Sequence, residues 1–200
     1  MRGNDPTPLT TSGAILAGGQ ARRFAGRDKS ALLVEGRTIL ARQLEALAPV
    51  AESIVIVGPT LVPEPFRATR ALPDLFPGRG PVGGLFTALS QAPTTHVVVL
   101  ACDMPFVTTA LLRALVEACA GHDAAVPFVQ GRWHPLCACY HARCAALAAR
   151  HVADDRLRMM DLLAGLDVAR LDDEALAPLG DPRRLLANVN TFDDYRLLTQ

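Results

Sequence analysis

The sequence predicts an α/β fold, three layers deep, built on a mostly parallel, doubly wound sheet, and three observations predict it. Hydrophobic residues make up 50% of the 200 residues but aromatic ones 5%, so Ala, Leu and Val carry the apolar mass, as in packed helices and buried strands. Two β-branched runs of strand length, Ser53–Val57 and His96–Ala101, are separated by enough chain for a crossover helix. Strand-like and helix-like patterns alternate along the chain, the order that gives a parallel sheet with helices on both faces. A chain of 200 residues is close to the size of one domain. Residues 12–200 are therefore expected to form a single unit, and residues 1–11, with Asn, Asp, Pro and Thr and little apolar content, a frayed extension.

The elements follow in order. Residues 12–17 run apolar through Ala14, Ile15 and Leu16 and are bounded by Gly, as a strand buried on both faces would be. A polar, Gly-containing loop comes next. Ile39, Leu40, Leu44 and Leu47 then recur at helical spacing between Thr38, a suitable N-cap, and Pro49. Ser53–Val57 is the second strand, and a third is expected to end near Ala71-Leu72-Pro73. A helix over 82–91 supplies the crossover to His96–Ala101. Residues 108–119 repeat helical spacing through Leu111, Leu112, Leu115 and Val116, and Ala124–Val129 returns to strand character. Beyond this the pattern weakens to a strand over 136–140, helices over 142–151 and 158–166, and a last helix over 193–198. No repeat, low-complexity tract or dividing linker interrupts the sequence.

Composition also excludes partners. Lys and Arg number 20 and Asp and Glu number 20, so no global positive field exists to attract nucleic acid or an acidic membrane, and a small molecule fits better. No run approaches the roughly 20 apolar residues of a membrane span, and residues 1–11 lack the apolar stretch of a secretory signal. A cytoplasmic protein is expected. Five cysteines, an odd count in a chain large enough to fold without staples, point to reduced thiols.

The stretch richest in chemistry is Leu16-Ala17-Gly18-Gly19-Gln20-Ala21-Arg22-Arg23-Phe24-Ala25-Gly26-Arg27-Asp28-Lys29, directly after the first strand. Paired glycines let the backbone approach a ligand and turn successive N–H groups toward anionic oxygens, while Arg23 and Lys29 add cations. It is built like a phosphate cradle. It has neither the Gly-x-Gly-x-x-Gly of a dinucleotide site nor the Gly-Lys-Ser/Thr ending of a P-loop. A Gly-Gly pair alone also suits a basic surface turn; two cations in a loop after a buried strand favour a ligand.

This stretch resembles the opening motif of the molybdenum cofactor guanylyltransferases, Leu-Ala-Gly-Gly-x-x-x-Arg-x-x-Gly-x-Asp-Lys. Four further segments are similar to motifs of that family: Gly80-Pro81-Val82-Gly83-Gly84, Cys102-Asp103-Met104-Pro105-Phe106, His134-Pro135-Leu136, and Asn188-Val189-Asn190-Thr191 followed by Asp193 and Asp194. The five occur in order from Leu16 to Asp194. The resemblance implies a nucleotide-diphospho-sugar-transferase-like, Rossmann-like fold and one nucleotidyltransferase domain. It implies a reaction in which a terminal phosphate on molybdopterin attacks the α-phosphorus of GTP, releasing pyrophosphate and leaving a guanine dinucleotide cofactor. The partners it implies are GTP, the molybdopterin cofactor and molybdoenzyme maturation proteins, with Mg²⁺ as cofactor and a monomeric enzyme.

Phosphoryl-type transfer needs positioned cations more than a protein nucleophile. Arg23 and Lys29 would serve the phosphates. Asp103 ends the apolar run of the fourth strand, where a carboxylate can reach Mg²⁺ without being buried in the sheet, and it is assigned the metal; Asp before Met-Pro also suits a simple chain reversal. By resemblance Leu16, Ala17, Gly18 and Gly19 touch the nucleotide through backbone groups, and Asp74 matches a nucleotide-contacting Asp, although its context equally suits a loop carboxylate. Asn188 and Asn190 offer amides to a pterin or phosphate; in a connecting segment such residues also make Asx turns.

Two departures stand out. Ala25 occupies a position where the family usually has Gly, which strains the loop if that position needs positive φ. Val57-Gly58-Pro59 lacks the Asn some members carry after the second strand, which leaves base selectivity open. Cytidylyl transfer to the same pterin, nucleotidyl transfer to a sugar or alcohol phosphate, and a non-catalytic nucleotide-binding carrier remain the alternatives. Cys137, Cys139 and His141 alternate on one strand face, but Cys-x-Cys in an apolar strand reads as buried filler rather than a zinc site. Trp133 and Tyr140 read as packing residues, and Asp154-Asp155-Arg156-Leu157-Arg158 as a solvated helix start.

Overall fold

The structure, a computed structural model, describes residues 10–17, 29–59, 62, 66, 69–191 and 194–196. Its strands are β1 (Thr11–Leu16), β2 (Leu33–Val34), β3 (Arg37–Thr38), β4 (Ser53–Val57), β5 (Arg70–Leu72), β6 (His96–Ala101), β7 (Ala124–Val129), β8 (Arg132–Trp133), β9 (Cys137–His141) and β10 (Val168–Asp172). Its α-helices are α1 (Ile39–Leu47), α2 (Gly80–Gln91), α3 (Thr109–Ala118), α4 (Ala145–Ala153), α5 (Met159–Leu163), α6 (Asp173–Leu176) and α7 (Pro182–Leu185).

The main sheet runs β5-β4-β1-β6-β9-β7-β10, with β8 hairpinned onto β7. β1 pairs in parallel with both β4 and β6, β4 with β5, and β7 with β10, while β9 lies antiparallel between β6 and β7. The chain leaves β1 toward β4 and β5 and then crosses to β6 on the other side. The strand order therefore reverses between β1 and β6, and the crevice beyond their carboxyl ends is where such sheets bind ligands.

Alternation along each strand divides the core between two faces. Ile15, Ile56, Val98 and Leu100 pack with Leu40 and Leu44 of α1 and Leu111, Leu112 and Leu115 of α3. Ala14, Val55, Val57, Val97 and Val99 pack with Val82 and Leu85 of α2, Ala148 and Val152 of α4 and Leu162 of α5. The sheet is thus the middle of three layers.

Local chemistry sets the helix starts. Thr38 accepts from the Ala41 N–H (3.1 Å) and Thr108 from the Leu111 N–H (3.2 Å), each supplying an acceptor for an orphan donor of the first turn. α2 begins before the expected residue 82 because Pro81 fits the first turn, where its missing N–H costs nothing. The helix expected over 142–151 resolves into a 3₁₀ turn, Ala142–Cys144, followed by α4. The helix expected over 158–166 is confined to α5. Residues 154–158 lead from the end of α4 into the start of α5, whose N-cap is Arg158. Residues 154–155 are the turn that ends α4, with Asp155 at φ 57 and its carboxylate paired with Arg79, a left-handed residue of the kind that terminates helices. Of the last expected helix, 194–196 is helical; residues 193 and 197–198 lie outside the described residues.

Candidate active site

Four backbone bonds assemble one rim at the carboxyl ends of the central strands. The Ala17 N–H donates to the Val57 carbonyl (2.8 Å), Gly58 to Leu72 (2.8 Å), Cys102 to Leu16 (3.3 Å) and Ala101 to Leu136 (2.7 Å). Leu16 and Ala17 thus stand at the end of β1, Asp74 two residues past β5, and Asp103 two residues past β6. Because β9 runs antiparallel to β6, the segment before it, His134-Pro135-Leu136, reaches the same rim. Gly84, in the first turns of α2, lies so close to β1 that a Cβ there would stand 3.4 Å from Leu16 Cδ1.

Asp103 is half-buried. Its Oδ1 accepts from Asn188 Nδ2 (3.1 Å), and its carbonyl accepts from the Val189 N–H (2.8 Å). Two motifs far apart in sequence are thereby joined, and the Asn188 amide is committed to the carboxylate. From the other side, α1 holds the same turn: Gln43 Nε2 donates to the carbonyls of Ala101 (2.6 Å) and Met104 (3.2 Å), and Arg42 Nε to that of Pro105 (2.8 Å). The Phe106 ring is covered by the guanidinium groups of Arg42 at 5.6 Å and Arg184 at 4.0 Å.

Asp74 is also half-buried. Its Oδ1 accepts from the Phe76 N–H and from Thr87 Oγ1, both at 3.0 Å. Asn190 is exposed, and its N–H donates to Asp194 Oδ2 (2.9 Å). Asp194 accepts also from the Thr191 N–H (2.7 Å) and donates its own N–H to Thr191 Oγ1 (3.1 Å). This reciprocal pairing is a capping box for the helical turn that follows.

His134 is half-buried, and burial, followed by the nearby Arg132 charge, pulls its pKa below the ordinary histidine value. Its imidazole is neutral at neutral pH. Trp133 meets Phe128 at a tilt of 58°, ring centroids 5.0 Å apart, and Arg170 covers Phe128 at 5.1 Å. Tyr140 is fully buried, with its hydroxyl donating to the Pro135 carbonyl (2.7 Å). Cys137 and Cys139 pack into the α1–α3 face of the core, where burial pushes the Cys137 thiol up to about 12. His141 meets the His96 ring instead, 5.2 Å between centroids.

Gly18, Gly19, Arg23 and Ala25 lie outside the described residues. Lys29 opens the 3₁₀ turn Lys29–Ala31, and its side chain lies outside them as well. The described residues hold no group of three or more His, Cys, Asp and Glu placed to grip a metal. Mg²⁺ is usually bound by one or two carboxylates together with substrate phosphates and water, and a partly exposed Asp103 at the strand switch suits that role.

Gln43, Arg42 and Thr87 escaped the sequence reading, although Gln43 and Arg42 bond the backbone carbonyls around Asp103 and Thr87 bonds the Asp74 carboxylate. Gln43 carried a legible signal: it falls within the apolar stripe of α1, between Leu40 and Leu44, where an aliphatic residue is expected.

Residues 13–173 match the family model of the MobA-like NTP transferase domain. A relative from Desulfosudis oleivorans, named molybdenum cofactor guanylyltransferase, is 30% identical over 186 residues, spanning 92% of this chain and 91% of its own. The crystal structure of molybdopterin-guanine dinucleotide biosynthesis protein A from Archaeoglobus fulgidus superposes with a TM-score of 0.77 at 26% identity, covering 94% of this chain and 96% of that one. That of 2-C-methyl-D-erythritol 4-phosphate cytidylyltransferase from Thermus thermophilus, with a TM-score of 0.70 and 21% identity over 96% of this chain and 98% of that one, shares the fold. The sheet is that of the nucleotide-diphospho-sugar transferases, as expected.

Proposed function

The chain belongs to the MobA-like NTP transferase family, and on that premise we propose that it transfers GMP from GTP to the molybdopterin-bound molybdenum cofactor, releasing pyrophosphate. What supports the reading is that Leu16, Ala17 and Asp103 lie at the β1/β6 switch point, with Asp74 farther along the same rim beyond β5, in a chain so similar to a molybdenum cofactor guanylyltransferase. A terminal phosphate oxygen of the pterin forms the new bond to the α-phosphorus as the α–β bridging bond breaks, and the electron pair leaves with pyrophosphate.

In this reading the backbone of Leu16, Ala17, Gly18 and Gly19 cradles the triphosphate, and Arg23 and Lys29 neutralise charge growing on the leaving group. Asp74 orients the nucleotide. Asp103 is the carboxylate that would hold Mg²⁺, aimed by the Asn188 amide; when bound, the ion would supply positive charge to offset the negative charge developing on the leaving pyrophosphate. Asn190, exposed on the last motif, is assigned to the pterin. We place the reaction in the cytoplasm, in a monomer formed by residues 12–200 that hands its product to molybdoenzyme maturation proteins; no described helix is long and apolar enough to cross a membrane.

The test is pyrophosphate release from GTP, CTP and ATP with molybdopterin present. GTP is expected to be preferred, and preference for CTP overturns the guanylyl assignment. Asp103→Ala should lower turnover on the order of a hundredfold or more while nucleotide affinity falls much less; equal turnover would remove Asp103 from the site.

A further inference from the structure

We propose that Gln43 is a positioning residue for the Asp103 carboxylate, an inference that rests on Asp103 serving the metal and phosphates. Gln43 is fully buried in the middle of α1, flanked on its face by Leu40, Leu44 and Leu47. An amide there must be stripped of water, which an aliphatic side chain would avoid. Both Nε2 hydrogens are directed to one turn, to the carbonyls of Ala101 and Met104 that bracket Cys102 and Asp103. Oε1 is buried and has no hydrogen-bond partner among the described residues.

That asymmetry is informative. Rotating the amide by half a turn would set Oε1 against two carbonyl oxygens, so the donors must face the turn. The residue places two donors where β6 ends and its ladder stops supplying them, although Oε1 meets no partner among the described residues. A buried amide acceptor that no described group meets calls for an explanation. Here the explanation is geometric: Arg42 adds a third bond, to the Pro105 carbonyl (2.8 Å), and the Val189 N–H and Asn188 amide grip Asp103 itself. The carboxylate is thus held between the C-terminal motif and α1, the first helix after the Gly-rich segment. Gln43 fixes where Asp103 stands relative to the loop that carries Lys29.

Gln43→Met keeps the length of the side chain and removes both donors. With Mn²⁺ as the probe, titrated by electron paramagnetic resonance against the full chain saturated with a non-hydrolysable GTP analogue, Mn²⁺ affinity should weaken about tenfold or more. Affinity for the analogue without metal should stay within about twofold of wild type, because the cradle is untouched, and kcat should fall with little change in KM for GTP. Gln43→Glu, whose protonated acid keeps one donor, should fall between the two, and it carries the same comparison if Gln43→Met does not fold. Asp103→Asn is the reference. If it loses Mn²⁺ while the Gln43 variants bind like wild type and merely melt earlier, Gln43 is structural and this inference alone falls. If Asp103→Asn retains Mn²⁺, the metal assignment falls first, and the inference with it.

Discussion

Thr87→Val tests how Asp74 is held. Thr87 is fully buried, with Oγ1 at 3.0 Å from Asp74 Oδ1, 3.0 Å from the Gly83 carbonyl and 3.0 Å from the Leu75 N–H it accepts. A hydroxyl has one hydrogen, so Asp74 and Gly83 compete for it, and the charged acceptor makes the stronger bond. Valine keeps the shape and removes that bond, a loss of about 1.5–3 kcal/mol. The Leu75 amide sits on a residue 49% exposed, so water replaces its acceptor at small cost. The added methyl returns about 0.8 kcal/mol on burial. The net loss is about 1–2 kcal/mol, and at about 2–4 °C per kcal/mol for a chain of this size scanning calorimetry should record a Tm lower by about 2–8 °C. Asp74 then keeps the Phe76 N–H but loses its link to α2. If it orients the nucleotide, KM for GTP should rise several-fold, roughly the effect of one such hydrogen bond, with kcat little changed. Thr87→Ser should restore both. An unchanged Tm refutes the hydrogen-bond accounting, and a lowered Tm with an unchanged KM refutes the role given to Asp74.

Two further outcomes follow from the core and its histidines. In Gly13→Ala the new Cβ would stand 2.9 Å from Leu47 Cδ2 and 3.1 Å from Cδ1, the end of a fully buried side chain, so Leu47 must shift and urea unfolding should show a loss of about 1 kcal/mol, the low end for added core volume; a loss above about 3 kcal/mol would mean that Leu47 cannot repack. Burial lowers the pKa of His96, with His141 and Arg143 adding to it, that of His141, with Arg143 adding to it, and that of His134, with Arg132 adding to it. The unfolded chain therefore binds protons that the folded chain refuses, so this stability is fully present above the ordinary value of 6.5 and is lost as pH falls below it toward the folded values. Urea midpoints measured across that range should decline with acidity, and His96→Gln should shallow the slope; a flat profile would contradict the histidine burial.

Much of the fold was legible because its signals are local. Ser53–Val57, His96–Ala101 and Ala124–Val129 are β-branched or apolar runs of strand length, and they are strands over those residues. Thr38 names the start of α1 because a hydroxyl is the simplest acceptor for its first turn. The segments missed, β2, β3, β8, β10, α6 and α7, span two to five residues each, too few to establish a period. The site divides in the same way. Asp103 was legible because it follows the apolar run of β6 and so must emerge at a strand end, whereas Asp74, beyond Pro73, was singled out by the family resemblance. The partner of Asn188 was not, since the bond spans 85 residues and no local pattern encodes it. Thr87 sits in a helix expected only as the crossover between two strands, a reading that gives an element its place but not the groups its side chains meet.

Strand direction is the other property that no run of residues reveals, and here it matters to the site. Had β9 run parallel to β6, His134-Pro135-Leu136 would lie at the far edge of the sheet, beside the amino end of β6. The β7–β8 hairpin reverses the chain instead, and the Leu136 carbonyl accepts from the Ala101 N–H at the rim (2.7 Å). Leu16, Ala17 and Asp74 belong to the β1–β4–β5 side, His134 and Trp133 to the β6–β9 side, and Asp103 stands at the seam with Asn188 upon it. For the transfer proposed above, this division would let the β1–β4–β5 half take the triphosphate and the half carrying His134 and Trp133 take the pterin, with the Asp103 carboxylate between them. On the proposed reading the antiparallel strand is what gives the acceptor its own wall, so shortening the β7–β8 turn should impair pterin binding before it impairs binding of GTP, as separate titrations of the two substrates would detect.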